Sequence, residues 1–161
     1  MTEAWEEGMT MTGRSGRTVN RMTAEEMWKE SGLSGTYTAW PFGEVPDKLA
    51  ALVVRGVKTA TCSAHELYEL NNEPLPQAGE YSIILDSAGE AVCIIQTVKV
   101  TVTEFKNVSE AHAFKEGEGD RTLTYWREVH ELFLRNELAS VRREFDENTK
   151  VVCEEFEVVY Q

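Results

Sequence analysis

The sequence predicts a single α+β domain whose strands are mostly antiparallel and curl into a small barrel with flanking helices. At 161 residues the chain is long enough to bury one core without disulfides or metal ions. From Glu80 onward the apolar pattern changes from a helical period to a period of two residues. The order of helices and strands shows little βαβ alternation, which favours an antiparallel sheet.

The chain divides into three regions. Residues 1–22 are predicted to be a flexible leader, because several glycines interrupt any apolar period there. Residues 23–35 contain a short helix, since Thr23 and Glu26 form a capping box just before an apolar run. Residues 36–161 form the main domain.

Cap residues and apolar spacing predict the elements of the main domain. His130 lies on the apolar stripe of the last helix and is interpreted as a satisfied core or border residue. The predicted helices cover residues 46–55, 64–70, 109–115 and 123–138, and the predicted strands cover residues 81–86, 91–102 and 151–160.

An aromatic-rich segment at residues 36–43 precedes the second helix. Pro41 and Gly43 predict an irregular path for it. Its aromatic side chains, Trp40 and Phe42, either stack on a nucleobase or close one end of the core.

The composition narrows the classes of partner. With a formal net charge of −12, the chain lacks the basic surface that binds long nucleic acid, so no long duplex is expected as a partner. A nucleoside or a short single-stranded RNA remains possible. No run approaches the roughly 20 apolar residues of a membrane span, and no signal peptide is evident, so a cytoplasmic protein is expected.

No cofactor and no metal are expected. The three cysteines are widely spaced in apolar contexts, which is typical of reduced structural thiols, although a nucleophilic Cys62 is a weaker alternative. The acidic run at residues 116–120 is either a solvated turn or part of a site. Its spacing does not match a calcium-binding loop.

The stretch from Gly56 to Thr61 is the leading candidate for chemistry. It places Lys58 and two threonines directly after a helix. Partial burial favours the neutral form of a lysine amine, which then acts as a base. The alternative is a solvated surface lysine.

These features together resemble the longer bacterial members of the ASCH domain family, over residues 36–160. No single motif is specific to this family, but the order and spacing of all the motifs together are. The matching residues are Trp40, Pro41, Phe42, Gly43, Leu52, Val53, Gly56, Lys58, Thr59, Ala60, Thr61, Pro76, Gly79, Tyr81, Glu116, Gly117, Glu118, Gly119, Asp120, Trp126, Arg127 and His130.

The resemblance implies a PUA-like β-barrel with helices at its ends and a role linked to RNA. Some members of the family remove the acetyl group from N4-acetylcytidine with a lysine, a threonine and a glutamate, and another is described as a ribonuclease. Lys58 and Thr61 match the first two, and Glu116 matches the third through a His-Ala-x-x-Glu run that begins at His112. Glu118 is the reserve for the glutamate.

The catalytic residues expected from the resemblance are therefore Lys58, Thr61 and Glu116. Amide hydrolysis would use Thr61 as nucleophile, neutral Lys58 as base, and Glu116 to orient or protonate. Residues three apart in a regular strand point to opposite faces, so Lys58 and Thr61 cooperate only if the chain bends between them. The expected substrate contacts are Trp40, Phe42, Thr59, Tyr68, Glu118 and Arg127.

Three functions follow from these residues. The leading one is a small hydrolase that acts on a modified nucleoside or a short RNA. The alternative is a non-catalytic module for single-stranded RNA, in which Lys58 contacts phosphate while Trp40 or Tyr68 stacks on a base. A ribonuclease is the third.

Overall fold

The computed structural model describes residues 21–161 of the chain. Within that range, no helix has the length and apolar character needed to cross a bilayer. The elements in chain order are α1 (Ala24–Ser31), β1 (Tyr37–Pro41), α2 (Pro46–Val54), β2 (Ala60–Ala64), α3 (His65–Leu70), β3 (Tyr81–Leu85), β4 (Ala91–Glu104), a 3-10 turn (Phe105–Asn107), α4 (Glu110–Glu116), α5 (Leu123–Ser140) and β5 (Lys150–Tyr160).

The five strands form one mixed sheet in the order β1-β3-β4-β5-β2. β1 pairs with β3 in parallel, and every other pair is antiparallel. Register shifts between Ile94 and Ile95, and again between Thr97 and Lys99, interrupt the pairing of β4 with β5. Such irregularities bend a strand, and the sheet curls into a half-barrel with helices around it. The predicted α+β fold is confirmed.

The cap residues fix the helix bounds. Thr23 and Glu26 form the predicted capping box, and α1 ends at Gly32 with a φ of 72°. Ser109 caps α4, which ends at Gly117 with a φ of 74°. The predicted helices are all present, with bounds that differ by one or two residues at their ends.

The segment at residues 36–43 corrects the sequence prediction. It was expected to follow an irregular path, but Tyr37–Pro41 is a strand that pairs with β3 from Tyr37↔Tyr81 to Pro41↔Leu85. β1 lies at the edge of the sheet, and Pro41 is its last residue. Proline has no amide proton to donate to a partner strand. It is tolerated here because an edge strand has a partner on one side only.

Three apolar clusters fill the space between helices and sheet. α5 covers one side of the sheet with Trp126, Leu134 and Leu138, and α4 adds Ala113, whereas α2 covers another part with Val53. Met27 of α1 forms the third cluster with strands β3 and β4. The segment that carries Lys58 runs between α2, which belongs to the second cluster, and β2, whose Ala64 belongs to the first.

Most of the predicted leader, residues 1–20, lies outside the described residues. Met22, which that prediction includes, packs beside the Met27 cluster. Its carbonyl oxygen accepts a hydrogen bond of 2.9 Å from Ala91 N. The described part of the chain thus joins the sheet one residue before the Thr23 cap.

Candidate active site

The backbone around Lys58 is held by three elements. After Gly56, whose φ is 74°, Val57 N and Lys58 N both donate to Leu52 O, at 3.0 and 3.1 Å. Thr59 N then donates to Lys115 O at 2.7 Å. Thr59 O accepts from Phe156 N at 3.0 Å, so α2, α4 and β5 together fix this turn.

Lys58 is buried, with 2% of its surface exposed. Its Nζ donates to Ala60 O at 2.9 Å and lies 3.4 Å from Glu118 Oε2 and 3.5 Å from Glu116 Oε1. The Glu116 carbonyl is a further acceptor at 3.4 Å, and the ring of Phe42 lies 5.3 Å away. Every polar neighbour of Nζ accepts, which suits a charged ammonium group. A solvated surface lysine is ruled out.

Glu116 is the centre of the buried polar cluster. His112 Nε2 lies 2.8 Å from its Oε2, His130 Nε2 lies 3.3 Å from Oε1, and Trp126 Nε1 also donates to Oε2. Burial opposes ionisation, but the hydrogen bonds from both histidines and the charge of Lys58 hold the pKa of Glu116 well below its ordinary value. Glu116 is therefore a fixed buried anion.

His130 belongs to this cluster as a buried residue with both ring nitrogens paired, which agrees with its interpretation as a satisfied core or border residue. Its Nδ1 lies 2.8 Å from Trp126 O, and its ring stacks on the Trp126 indole at 4.3 Å. Burial lowers the pKa of His130, but the hydrogen bond and charge of Glu116 raise it above the ordinary value. Both ring nitrogens face acceptors. The sequence signal is the spacing of four residues between Trp126 and His130 on one helical face.

The acidic glycine loop packs against the buried cluster through Glu116 and Glu118, whereas Gly119 and Asp120 are exposed. A Cβ on Gly117 would lie 2.5 Å from Val57 O, and one on Gly119 would overlap the ring of Tyr125. These two close approaches fold the loop back so that the Glu118 side chain, 18% exposed, reaches Lys58. The guanidinium group of Arg121 stacks on the ring of Phe114, with its central carbon 3.6 Å from the ring centroid, and this contact stabilises the loop.

Thr61 and Cys62 point to opposite faces of β2. The sulfur of Cys62 lies within 4.8 Å of ligand atoms of Glu116 and His130, so that face of β2 meets the buried cluster. By strand alternation Thr61 lies on the other face. Its partner across β5 is Glu154.

One large cavity, of about 1420 Å³, brings most of the predicted site together. Its lining includes all three predicted catalytic residues, Lys58, Thr61 and Glu116. The predicted substrate contacts that line it are Trp40, Phe42, Tyr68 and Glu118.

Two predicted contacts do not line the cavity. Thr59 Oγ1 donates to Lys115 O at 3.4 Å. Arg127 is exposed, and its Nη2 donates to Lys106 O at 3.0 Å. Both side chains bond to the backbone of other segments of the chain.

The charges of the cavity lining are mostly negative. Among the described residues that line it there is no arginine, and the lysines are Lys48 and Lys58. The glutamates are Glu44, Glu73, Glu80, Glu116, Glu118 and Glu154. Such a lining repels phosphate groups and suits neutral or cationic ligands.

The cluster of Cys62, Glu116 and His130 is the group that could hold a metal ion among residues 21–161. Its chemistry opposes this. Both Glu116 oxygens already accept hydrogen bonds, and the Lys58 ammonium is an ion-pair partner. Burial and the charge of Glu116 raise the pKa of the Cys62 thiol well above its ordinary value, which disfavours the thiolate that a metal binds.

A curled, mixed five-stranded half-barrel with flanking helices is the architecture of PUA-like domains. The family model described as the ASCH domain matches residues 38–160. The chain therefore belongs to the ASCH domain family, which confirms the resemblance. ASCH domains are generally linked to RNA binding or RNA metabolism.

Solved structures agree with this assignment. An ASCH domain from Lactobacillus crispatus is 30% identical, with a TM-score of 0.81 over 85% of this chain and 94% of that one. Protein EF3133 from Enterococcus faecalis is 37% identical, with a TM-score of 0.75 over 84% and 87%. Hypothetical protein PH0355, at 17% identity and a TM-score of 0.51, shares the fold alone. No curated protein sequence matches this chain.

Proposed function

We propose that this protein is an amidohydrolase that removes an acyl group from the amine of a small nucleoside-like molecule, of the N4-acetylcytidine type. One observation carries the proposal: Lys58, Thr61 and Glu116 line one cavity. Lys58 and Glu116 are a buried ion pair there, at 3.5 Å. Thr61 lies on the face of β2 away from Glu116, so it is the shared cavity that would offer one substrate both a hydroxyl nucleophile and a fixed cation.

The surroundings of Lys58 suit an electrophilic role. Its ammonium group is positioned by Ala60 O, Glu116 and Glu118, all of which accept. An ammonium held in a cavity stabilises the negative charge that develops on a carbonyl oxygen during acyl transfer. Glu116, whose oxygens are fully engaged, holds this amine in place. Thr61 supplies the attacking oxygen.

The charge of the cavity favours a nucleoside over RNA. A phosphodiester entering it would meet six glutamates against two lysines. A neutral base and ribose avoid this repulsion. Trp40 is half-buried, and its ring, packed edge to face on the core residue Phe42 at 5.0 Å, offers an aromatic surface for stacking with a base.

Turnover of acylated nucleosides tests the proposal. The purified protein is incubated with N4-acetylcytidine and a panel of N-acylated amines, and cytidine and acetate are followed by chromatography. We expect release of cytidine, which Thr61→Val and Lys58→Met abolish, whereas Lys48→Met, at an exposed position of the lining, leaves most of it. If the wild-type protein hydrolyses none of these amides, the proposal is wrong.

A second candidate is recognition of short single-stranded RNA without catalysis. The family's link to RNA and the position of Trp40 in the cavity lining favour it. Fluorescence titration with labelled RNA oligonucleotides at low salt tests this candidate. Binding that Trp40→Ala weakens, with no product formed, would support it over the hydrolase.

A further inference from the structure

In the proposed hydrolysis, Thr61 needs a group that accepts its proton, and Lys58 is poorly suited to that task. Lys58 Nζ has no lone pair to offer as long as it donates to Ala60 O and pairs with Glu116 and Glu118. Glu116 lies on the Cys62 face of β2, away from the face that carries Thr61. The proton acceptor for Thr61 must come from elsewhere.

Glu154 is the side chain opposite Thr61. The two residues are direct partners in the antiparallel pairing of β2 with β5. Side chains of such partners lie on the same face, with Cβ atoms about 4.5–5.5 Å apart. Both residues line the cavity. A carboxylate on β5 and a hydroxyl on β2 are therefore adjacent at the place where substrate would bind.

Within residues 21–161, no cation pairs with the Glu154 carboxyl. Glu80, before β3, and Tyr68 of α3 are the titratable groups that face it. Its partner on β4 is Val100, which does not titrate. The neighbouring Lys99 pairs with Glu155, on the opposite face of the strand. Glu154 is thus free to exchange a proton with a ligand or with Thr61.

We propose that Glu154 is the general base and general acid that serves Thr61. This inference rests on the proposed function. Glu154 takes the proton of Thr61 Oγ as that oxygen bonds to the amide carbon. It then gives the proton to the leaving nitrogen as the C–N bond breaks. In the second half, Glu154 takes a proton from water as the water oxygen bonds to the acyl carbon, and it returns that proton to Thr61 Oγ as the ester C–O bond breaks.

The acidity of Glu154 suits this cycle. Burial and the nearby charge of Glu80 raise its pKa from 4.5 to about 7. A group with a pKa close to the working pH both accepts and releases protons readily. Because the base must be ionised to begin the reaction, the rate should rise with pH through this value.

The variant Glu154→Gln tests the inference, with Glu157→Gln as the matched control. Glu157 lies on the same strand but is exposed and outside the cavity lining. We expect kcat/KM for N4-acetylcytidine to fall about 100-fold or more in Glu154→Gln, and its dependence on pH near 7 to disappear. Glu154→Asp should restore part of the rate, and Glu157→Gln should match the wild type.

An artificial acyl donor separates this inference from the proposed function. Acetylation of Thr61 by p-nitrophenyl acetate is followed by mass spectrometry, with Thr61→Val as the blank. We expect acetylation to rise with pH through about 7 in the wild type and to be slow in Glu154→Gln.

The outcomes are distinct. If Thr61 is acetylated in this manner but no acylated nucleoside is hydrolysed, the proposed function fails and the role of Glu154 stands. If Glu154→Gln keeps the wild-type rates and pH profiles in either reaction, or if Thr61 is not acetylated at any pH, Glu154 is not its base.

Discussion

Glu116 is a buried anion, and its negative charge attracts three nitrogen groups around it. Lys58, His112 and His130 each place a nitrogen against its carboxylate. The variant Glu116→Gln keeps the shape but removes the charge, and breaking a buried ion pair costs about 3–5 kcal/mol. We expect urea denaturation to show a loss of this size.

A control variant on the same helix isolates this effect. Glu110 lies in the first turn of α4 and is exposed. Glu110→Gln should cost less than about 1 kcal/mol, since it removes only an interaction with the helix dipole. Equal losses in the two variants would show that the buried charge contributes nothing.

Glu154 should also make stability depend on pH. Its pKa is raised to about 7 in the folded protein, by burial and by Glu80, from the ordinary 4.5. Between these values the folded protein binds more protons than the unfolded chain, so the free energy of unfolding falls as pH rises.

This pH effect is measured by urea denaturation at a series of pH values. In Glu154→Gln the fall in unfolding free energy between about pH 4.5 and 7 should be smaller than in the wild type. Glu157→Gln should retain the wild-type slope. The assignment of a raised pKa to Glu154 is contradicted if the slopes of the two variants coincide.

At the scale of elements, the acidic loop between α4 and α5 depends on glycine. Gly117 has a φ of 74°, and an added Cβ would lie 2.5 Å from the backbone oxygen of Val57. Gly89 has a similar φ of 79° but open space around it. Gly117→Ala should therefore cost about 3 kcal/mol, whereas Gly89→Ala should cost about 1–2 kcal/mol from backbone strain alone.

Both costs are measured as shifts of the urea midpoint. Gly117→Ala should also slow any hydrolysis, because it moves Glu118 away from Lys58. If the two alanine variants lose the same stability, the close approach to Val57 is not what requires glycine.

Local signals predicted the elements better than the contacts between them. Capping residues and apolar spacing give the helices almost to the residue. β1 was missed because its partner, β3, is distant in sequence, and only that pairing makes the segment around Pro41 a strand. The same applies to Lys58 and Glu116, which are 58 positions apart. From the sequence, only the family resemblance suggested that Lys58 and Glu116 lie together.

Some functional residues carried no signal of their own. The register of β2 with β5 decides that Glu154 faces Thr61. A shift of one residue would place Cys153 or Glu155 there instead. Nothing in the sequence near Glu154 distinguishes it from Glu155 or Glu157, so its neighbours had to be known in three dimensions.

At the scale of the whole molecule, the net charge of −12 and the acidic cavity act in the same direction. Both repel a phosphorylated ligand. We expect cytidine to bind at least about 10-fold more tightly than cytidine 5′-monophosphate at low salt, with the difference shrinking as salt screens the charges.

Isothermal titration calorimetry at two salt concentrations measures this difference. The affinity for cytidine itself should hardly change with salt, because it carries no charge. Tighter binding of the monophosphate would contradict the preference for nucleosides and would favour the RNA-binding candidate.

The half-barrel leaves its two edge strands, β1 and β2, unpaired with each other. Trp40 on β1 and Thr61 on β2 both line the cavity, which is therefore bordered by the open seam of the sheet. Side chains along such a seam vary without breaking the ladder that holds the fold together. Substitutions on these two edge strands can therefore change which ligand the cavity binds while the fold stays the same, and the same positions are available for protein design.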